Sequence, residues 1–532
     1  MEPVMPLLID KDQTGFIKNR QTQDNIRRAL HIIEQINKDQ IGAIILSLDA
    51  EKAFDSVGWE FLYLAMKRFN FNKDFIHCIQ ALYTLPTARI KVNGSLSDSI
   101  TLQRGCRQGC PLSPNLFNLF IEPLAQAIRQ EIGLEGISMG GEEYKISLYA
   151  DDVLITISLP LLMKMLEIYG EYSGYALNIH KTQVMTFNYT PTEELNAMYS
   201  FNWNAPFIKY LGVSLPKDMS QLFNINYNCI NKKIYDDLDG WSLLPLDFGS
   251  RIRSIKMNIL PRLLYLFLSL PVEIPLKQFR EWNKHISRFI WNKQRPRVKF
   301  PTLQLPEERG GKALPSLRDY YLAAQLRPLV YWCNSSYVAK WKTMELSLTD
   351  TPIQSLLGCV GMEKKILYTE SQWVNCSLKV WGEVVKKFEL QKQIKLLRWP
   401  AYDPEFTPAS LDHRFKQWTF YGVTAVCKIV KKWELNNFNH LCQMYGLGGQ
   451  DFYRYLQFRD YFCKKLKGCN PAEPPAIIHI FMDAYNSGNI KGLVLIEEGL
   501  YRLCKTTMGK RVEHCDNRGH VAERLGNTVI FH

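Results

Sequence analysis

The sequence predicts an α+β fold, an antiparallel sheet with helices on one face. Three observations lead there. Short apolar, β-prone runs recur through the first 215 residues, and one of them turns on Asn93-Gly94, the dipeptide most typical of a two-residue hairpin. Amphipathic helical segments separate these runs at irregular intervals, unlike the even alternation of a parallel sheet. Beyond about residue 216 the hairpin signals fade and helical spacing dominates.

The elements follow in order. Residues 21–37, QTQDNIRRALHIIEQIN, place Ile26, Leu30 and Ile33 on one helical face, with Arg27, Arg28 and Glu34 elsewhere. AIILSLDAEKAF, 43–54, starts as an apolar strand and changes character at Asp49. Residues 60–83 read as a helix, and 88–105 as a hairpin. Ser113-Pro114 opens a helix over 113–132, serine as cap and proline in the first turn. KISLYADDVLITIS, 145–158, is a would-be core strand, followed by a helix over 161–172 and short strands near 183–188 and 207–214. Residues 331–532 read as mostly helical, rich in Trp and Lys, without an internal repeat.

At 532 residues the chain exceeds one ordinary core, and its 46% hydrophobic and 22% charged residues are globular proportions. Its net charge of +13 suits a polyanionic partner, nucleic acid before acidic membrane. The 13 cysteines contain no C-x-x-C pair and read as mostly reduced thiols of an intracellular protein. No secretory signal is visible. The most apolar run, LLYLFLSLPV at 263–272, is too short to span a bilayer and reads as a buried helix.

The pair Asp151-Asp152 raises a chemical question, because charged residues are rarely buried without a partner. A lone Asp is usually a turn or cap residue. Here Asp49 also ends an apolar strand, so neighbouring strands would bring three carboxylates to one edge. Such a cluster repels itself unless cations intervene, and all-oxygen ligands select Mg²⁺ or Mn²⁺. Two such ions suit phosphoryl transfer.

A series of ordered blocks carries a resemblance. DQTGFIKNRQTQDNIRRAL (12–30), LSLDAEKAFDSV (46–57), LQRGCRQGCPLSPNLFNLFIEPL (102–124), YADDVLI (149–155), SGYALNIHKTQVM (173–185) and YLGVSL (210–215) resemble the reverse transcriptase of non-LTR retrotransposons, the long interspersed nuclear element type. WSLLPLDFGSRIRSIKMNILPRLLY and FIWNKQRPRV resemble the thumb of the same family. The resemblance implies a right-hand polymerase palm at 41–215, a remnant of fingers at 1–40, a helical thumb at 216–330 and a mostly helical C-terminal region at 331–532. It implies RNA-directed DNA polymerisation, with an RNA template, a DNA primer, dNTPs and Mg²⁺ or Mn²⁺. Asp49, Asp151 and Asp152 would be the catalytic, metal-binding carboxylates. Phe54 would pack under the sugar and exclude a 2′-OH; its alternative is plain core packing. Gln108 and Gly109 would line the nucleotide pocket, Lys181 would approach the phosphates, and Leu211-Gly212 would grip the primer. Nuclear residence is implied only by the family's use of chromosomal primers.

Arg20, and Lys284, Arg288, Lys293, Arg295 and Arg297 with their interleaved aromatics, are candidate nucleic-acid contacts, the rings facing inward and the cations outward. Cys504, His514, Cys515 and His520 have no zinc-site spacing. Family members carry more chain before the first block, holding most of the fingers, and usually an endonuclease and often a zinc knuckle; none is visible here. The expectation is a truncated copy, with a non-catalytic nucleic-acid-binding remnant as the alternative reading. Another two-metal enzyme, such as a nuclease, would not explain RQGCPLSP or Phe54.

Overall fold

A computed structural model describes residues 1–487 apart from 157–158, 200, 204, 350, 362–368, 404, 432–433 and 467–475. The cysteine and histidine group at 504–520 lies outside the described residues. The chain divides into two compact units: Met1–Leu222 with Ala339–Met344, and Phe223–Val338 with Glu345–His532. The first unit takes in the segments read as fingers remnant and palm, together with a short return of the chain at 339–344.

The centre of the first unit is a four-stranded antiparallel sheet. Its strands are β1 (Ala43–Leu48), β2 (Ile146–Tyr149), β3 (Asp152–Thr156) and β4 (Gln183–Phe187), in the order β4-β1-β3-β2. Alternation along the strands sorts the side chains onto two faces. Ile44, Leu46, Leu48, Val153, Ile155 and Val184 share one core with Leu116, Phe117, Phe120 and Leu124 of the helix Ser113–Gln130, Leu62 and Met66 of Trp59–Arg68, and Leu162 and Leu166 of Leu159–Ser173. Ile45, Leu154 and Met185, on the other face, are buried as well.

The hairpin at 88–105 forms, with Asn93 and Gly94 both at positive φ, as a primed turn requires. The run 207–214 is itself a hairpin, Phe207–Tyr210 against Val213–Pro216, turning on Leu211 and Gly212. The described part of the run 145–158 is not one strand but the β2–β3 hairpin, bent at Ala150 with φ 52°.

Other expectations are corrected. The helix over 60–83 is two, Trp59–Arg68 and Lys73–Leu82. Asn70 breaks it at φ 58°, and the Asn72 side chain caps the second by accepting the Asp74 N–H. Ser113 lies inside its helix, not at the cap, which is Leu112. In the helix Thr22–Asp39, Arg27 and Arg28, read only as lying off the apolar face, are buried. Arg28 donates to Asp12 at 2.5 Å, and the Arg27 guanidinium lies 5.1 Å from the Trp341 ring centre.

The described residues of the second unit are largely helical. The run at 263–272 falls in the buried helix Leu260–Ser269. Among the described residues no helix is long and apolar enough to cross a membrane. The helix Leu276–Ile290 buries Phe279, Trp282, Ile286 and Phe289, and Trp282 donates to Asn231 Oδ1 at 2.7 Å. A separate aromatic core gathers Trp399, Phe406, Phe415, Trp418 and Phe458.

Candidate active site

The register of the sheet assembles the site. β1 pairs with β3 at Leu48 and Val153. One further step sets Asp49 opposite Asp152, on the face of Ser47 and Leu154 and away from the helical core. Asp151 occupies the bend between β2 and β3. Three carboxylates therefore reach one edge by backbone geometry. Among the described residues, no three His, Cys, Asp or Glu side chains are gathered closely enough to hold a metal ion. The expectation of three carboxylates meeting at one point holds for the backbone, while the side chains do not converge.

Their electrostatics record the crowding. Loss of hydration, with Asp151 and then Asp49 adding repulsion, pushes Asp152 up to about 6, although its side chain reaches solvent. Loss of hydration and then Asp49 raise Asp151 above the usual carboxylate range, against a lowering backbone hydrogen bond. A divalent cation would relieve both, and the donor set is the oxygen-only kind that hard cations take.

The block at 12–20 does something its polarity did not suggest. Backbone bonds Leu148 N–H to Asp12 and Thr14 N–H to Leu148, both 2.9 Å, lay this segment along the edge strand β2. The fully buried Gln13 accepts the Ala150 N–H at 2.9 Å and the Gly15 N–H at 2.8 Å. A Cβ on Gly15 would stand 2.4 Å from the Ala150 nitrogen, so no other residue fits against the bend. Gln13 and Gly15 thus hold the bend that carries Asp151, a role missed in the sequence, where the only signal was their place in the block. Arg20, expected to meet nucleic acid, instead donates to the carbonyls of Pro6, Ile9, Asp10 and Gln13 and ties this segment together.

Phe54, Gln108, Gly109, Lys181, Leu211 and Gly212 belong to the same unit as these carboxylates. Phe54 is half-buried and stacks on Phe117 with ring centres 4.6 Å apart, so its ring orientation is set by the core. The loop holding Gln108 and Gly109 is clamped to the Phe54 segment. Gly105 N–H donates to Val57 at 2.8 Å and Cys106 N–H to Phe54 at 2.6 Å. Gly105 was also missed; its φ of 101° and a Cβ position 2.9 Å from the Asp55 oxygen demand glycine. Gln108 and Gly109 themselves are exposed. Lys181 Nζ stands 3.8 Å from Asp49 Oδ2, the loose pairing of an exposed cation. The hairpin of Leu211 and Gly212 meets the same sheet face: Ser47 donates to the Lys209 carbonyl at 3.5 Å, and the Gln183 side chain accepts the Lys209 N–H at 2.8 Å. In the second unit, Lys284, Arg288, Lys293, Arg295 and Arg297 are all exposed, while Trp282 and Phe289 are buried.

A carboxylate hairpin beside β1, bordered by an aromatic ring, a glycine-rich loop and a second hairpin, is the arrangement of a polymerase palm. Residues 1–215 match the family described as reverse transcriptase (RNA-dependent DNA polymerase). The match takes in the segment that carries the carboxylate hairpin, and the curated relatives the chain resembles are proteins of transposons and retrotransposable elements. The chain is 25% identical over 360 residues to the transposon TX1 uncharacterized 149 kDa protein of Xenopus laevis, covering 65% of this chain and 27% of that protein. It is 24% identical over 336 residues to the Pol polyprotein of the type-2 retrotransposable element R2DM of Drosophila melanogaster, covering 60% of this chain and 31% of the relative. A type-1 R2 polyprotein of Popillia japonica is 26% identical over 236 residues, 42% of this chain and 32% of that one. The matches thus span about a third or less of these relatives. Telomerase from Candida albicans aligns over 61% of this chain and 52% of its own at 12% identity, with a TM-score of 0.23, which establishes no shared fold.

Proposed function

We propose that this chain is an RNA-directed DNA polymerase that extends a DNA primer 3′-OH with dNTPs on an RNA template. The observation that carries the reading is the β1–β3 register, which sets Asp49 opposite Asp152 with Asp151 in the adjoining bend. Asp49, Asp151 and Asp152 would hold Mg²⁺, or Mn²⁺ in its place. Held there, such cations would supply activation of the 3′-OH and neutralisation of charge on the triphosphate. The chain's own residues supply the positioning. Phe54, held flat on Phe117, would close the space a ribose 2′-OH needs. Gln108 and Gly109 would border the incoming nucleotide, with Lys181 near its phosphates. Leu211 and Gly212, on a hairpin anchored to Ser47 and Gln183, would steady the primer end. Lys284, Arg288, Lys293, Arg295 and Arg297 would meet the phosphates of the duplex. Arg20 has no place in that set, since its guanidinium is taken by backbone carbonyls.

Primer extension tests this. The purified chain is given poly(rA), oligo(dT), Mg²⁺ and labelled dTTP beside an Asp151→Asn variant. Incorporation by the parent and a loss of at least about a thousandfold in the variant is the expected result, because the lost carboxylate acts in the transition state. Salt-sensitive binding of the primer–template without incorporation would overturn the catalytic reading and leave a nucleic-acid-binding remnant.

A further inference from the structure

Tyr175 has a hydroxyl with nothing to hold. The residue is 5% exposed, and its hydroxyl is buried without a hydrogen-bond partner. A buried hydroxyl lacking an acceptor is costly, and most native structures supply one.

The backbone fixes where this side chain stands. The Gly58 N–H donates to the Ser173 carbonyl at 3.0 Å, and the Tyr175 N–H to Ser173 Oγ at 3.1 Å. Glu51 N–H donates to Ala176 at 2.7 Å, Ala50 and Leu177 form an antiparallel bridge, and Asn178 N–H donates to the Asp49 carbonyl at 2.8 Å. The 173–178 segment is therefore laced to the turn that follows Asp49. The ring packs edge-on against Tyr169, centres 5.7 Å apart, so it cannot swing freely. Burial, with the charges of Asp151 and Asp49 adding to it, raises the hydroxyl above the ordinary tyrosine range. An orphan donor thus stands on the segment laced to Asp49, which the sheet register sets beside the bend of Asp151.

We infer that Tyr175 is a positioning residue for the metal site: its O–H donates to the Asp151 carboxylate when a divalent cation draws Asp49 and Asp151 together, and it fixes the orientation in which Asp151 binds. This rests on the carboxylate reading of the site above. It gives the orphan hydroxyl an acceptor and gives Asp151 the outer partner that metal-binding carboxylates normally have. Tyr175 does not touch substrate or the reacting atoms.

The test is Mn²⁺ binding by the full chain without nucleic acid, read from the free-ion electron paramagnetic resonance signal below the lowest melting temperature in the set. The variants are Tyr175→Phe, Asp151→Asn, the double variant and Tyr227→Phe. Tyr227 is a control, a second buried hydroxyl without a partner, whose ionisable neighbours are Tyr321 and Cys376 rather than carboxylates. Tyr175→Phe is expected to weaken Mn²⁺ binding about tenfold with no fall in its melting temperature, since the hydroxyl it removes has no partner to lose. It should add nothing in the Asp151→Asn background, since coupled residues are not additive. Tyr227→Phe should bind as the parent does. Equal affinity of Tyr175→Phe and parent, or full additivity with Asp151→Asn, overturns the role of Tyr175 and leaves the carboxylate site standing. A parent that binds no Mn²⁺ overturns the carboxylate site and this inference with it.

Discussion

Ala150 occupies a left-handed backbone conformation at φ 52°, where a residue with a side chain is strained. That strain puts Asp151 at the tip of the bend, and Gln13 is the group that holds it there through the Ala150 and Gly15 amides. Gln13→Ala should cost about 1–2 kcal/mol of stability in a denaturant titration, the loss of buried hydrogen bonds. It should also lower kcat more than KM, because the carboxylate is misplaced rather than removed. Unchanged kcat would mean the bend is held by packing alone. Phe54 makes a second prediction at this scale. Its ring is locked by Phe117. Phe54→Val should raise incorporation of ribonucleotides relative to deoxyribonucleotides by roughly ten- to a hundredfold, the scale of discrimination that shape alone gives. An unaltered preference in single-nucleotide extension would assign Phe54 to core packing only.

Among elements, the helix Thr22–Asp39 and the returning segment 339–344 depend on each other. Trp341 donates to Asp24 at 2.7 Å and stands under Arg27, while Lys340 lies 2.8 Å from Asp12 and 3.4 Å from Asp10. Burial opposes the ionisation of Asp10, but Lys340, the Asp12 amide and Arg129 outweigh it and hold the carboxyl down to about 2. A carboxylate depressed by folding adds stability above its unfolded value, near 4, and loses it as the pH falls toward 2. Lys340→Met should therefore lower stability near neutral pH by about 1–2 kcal/mol and flatten the acid limb between about pH 4 and 2. Asp12 keeps Arg28 and Arg129 in that variant, which limits the loss. An acid limb as steep as the parent's in thermal melts would disprove the coupling.

Across the whole chain, the net charge of +13 is the quantity that nucleic acid would sense. Arg288, Arg295 and Arg297 are exposed beside buried rings in the second unit, so replacing them with Ser removes charge without opening the core. The slope of log binding constant against log salt for a primer–template should fall by about 0.9 for each duplex phosphate that no longer meets a cation. A slope that does not change would place the phosphate-binding surface elsewhere on the chain.

How much was readable depended on range. Strand alternation, the Asn93-Gly94 turn and the spacing of Ile26, Leu30 and Ile33 are local signals, and the corresponding hairpin and helix are present. Asp49, Asp151 and Asp152 stood out because carboxylates at the ends of apolar strands conflict with local propensity. That conflict is visible without knowing the fold. Asn70 could end a helix because it tolerates positive φ, but a continuous helical pattern hid the break. The buried placement of Arg27, Arg28, Gln13 and Gly15 was not legible. Polar and glycine residues read locally as surface or loop, and only contacts with Asp12, Ala150 and the distant Trp341 make them interior. Tyr175 is the limiting case: a tyrosine in a polar loop says little, and its orphan hydroxyl exists only because the chain folds that loop against Asp49. Composition and short-range pattern settle which elements form and which residues are chemically out of place. Long-range register and burial settle which of those residues meet, because free energy there comes from partners far away in the chain.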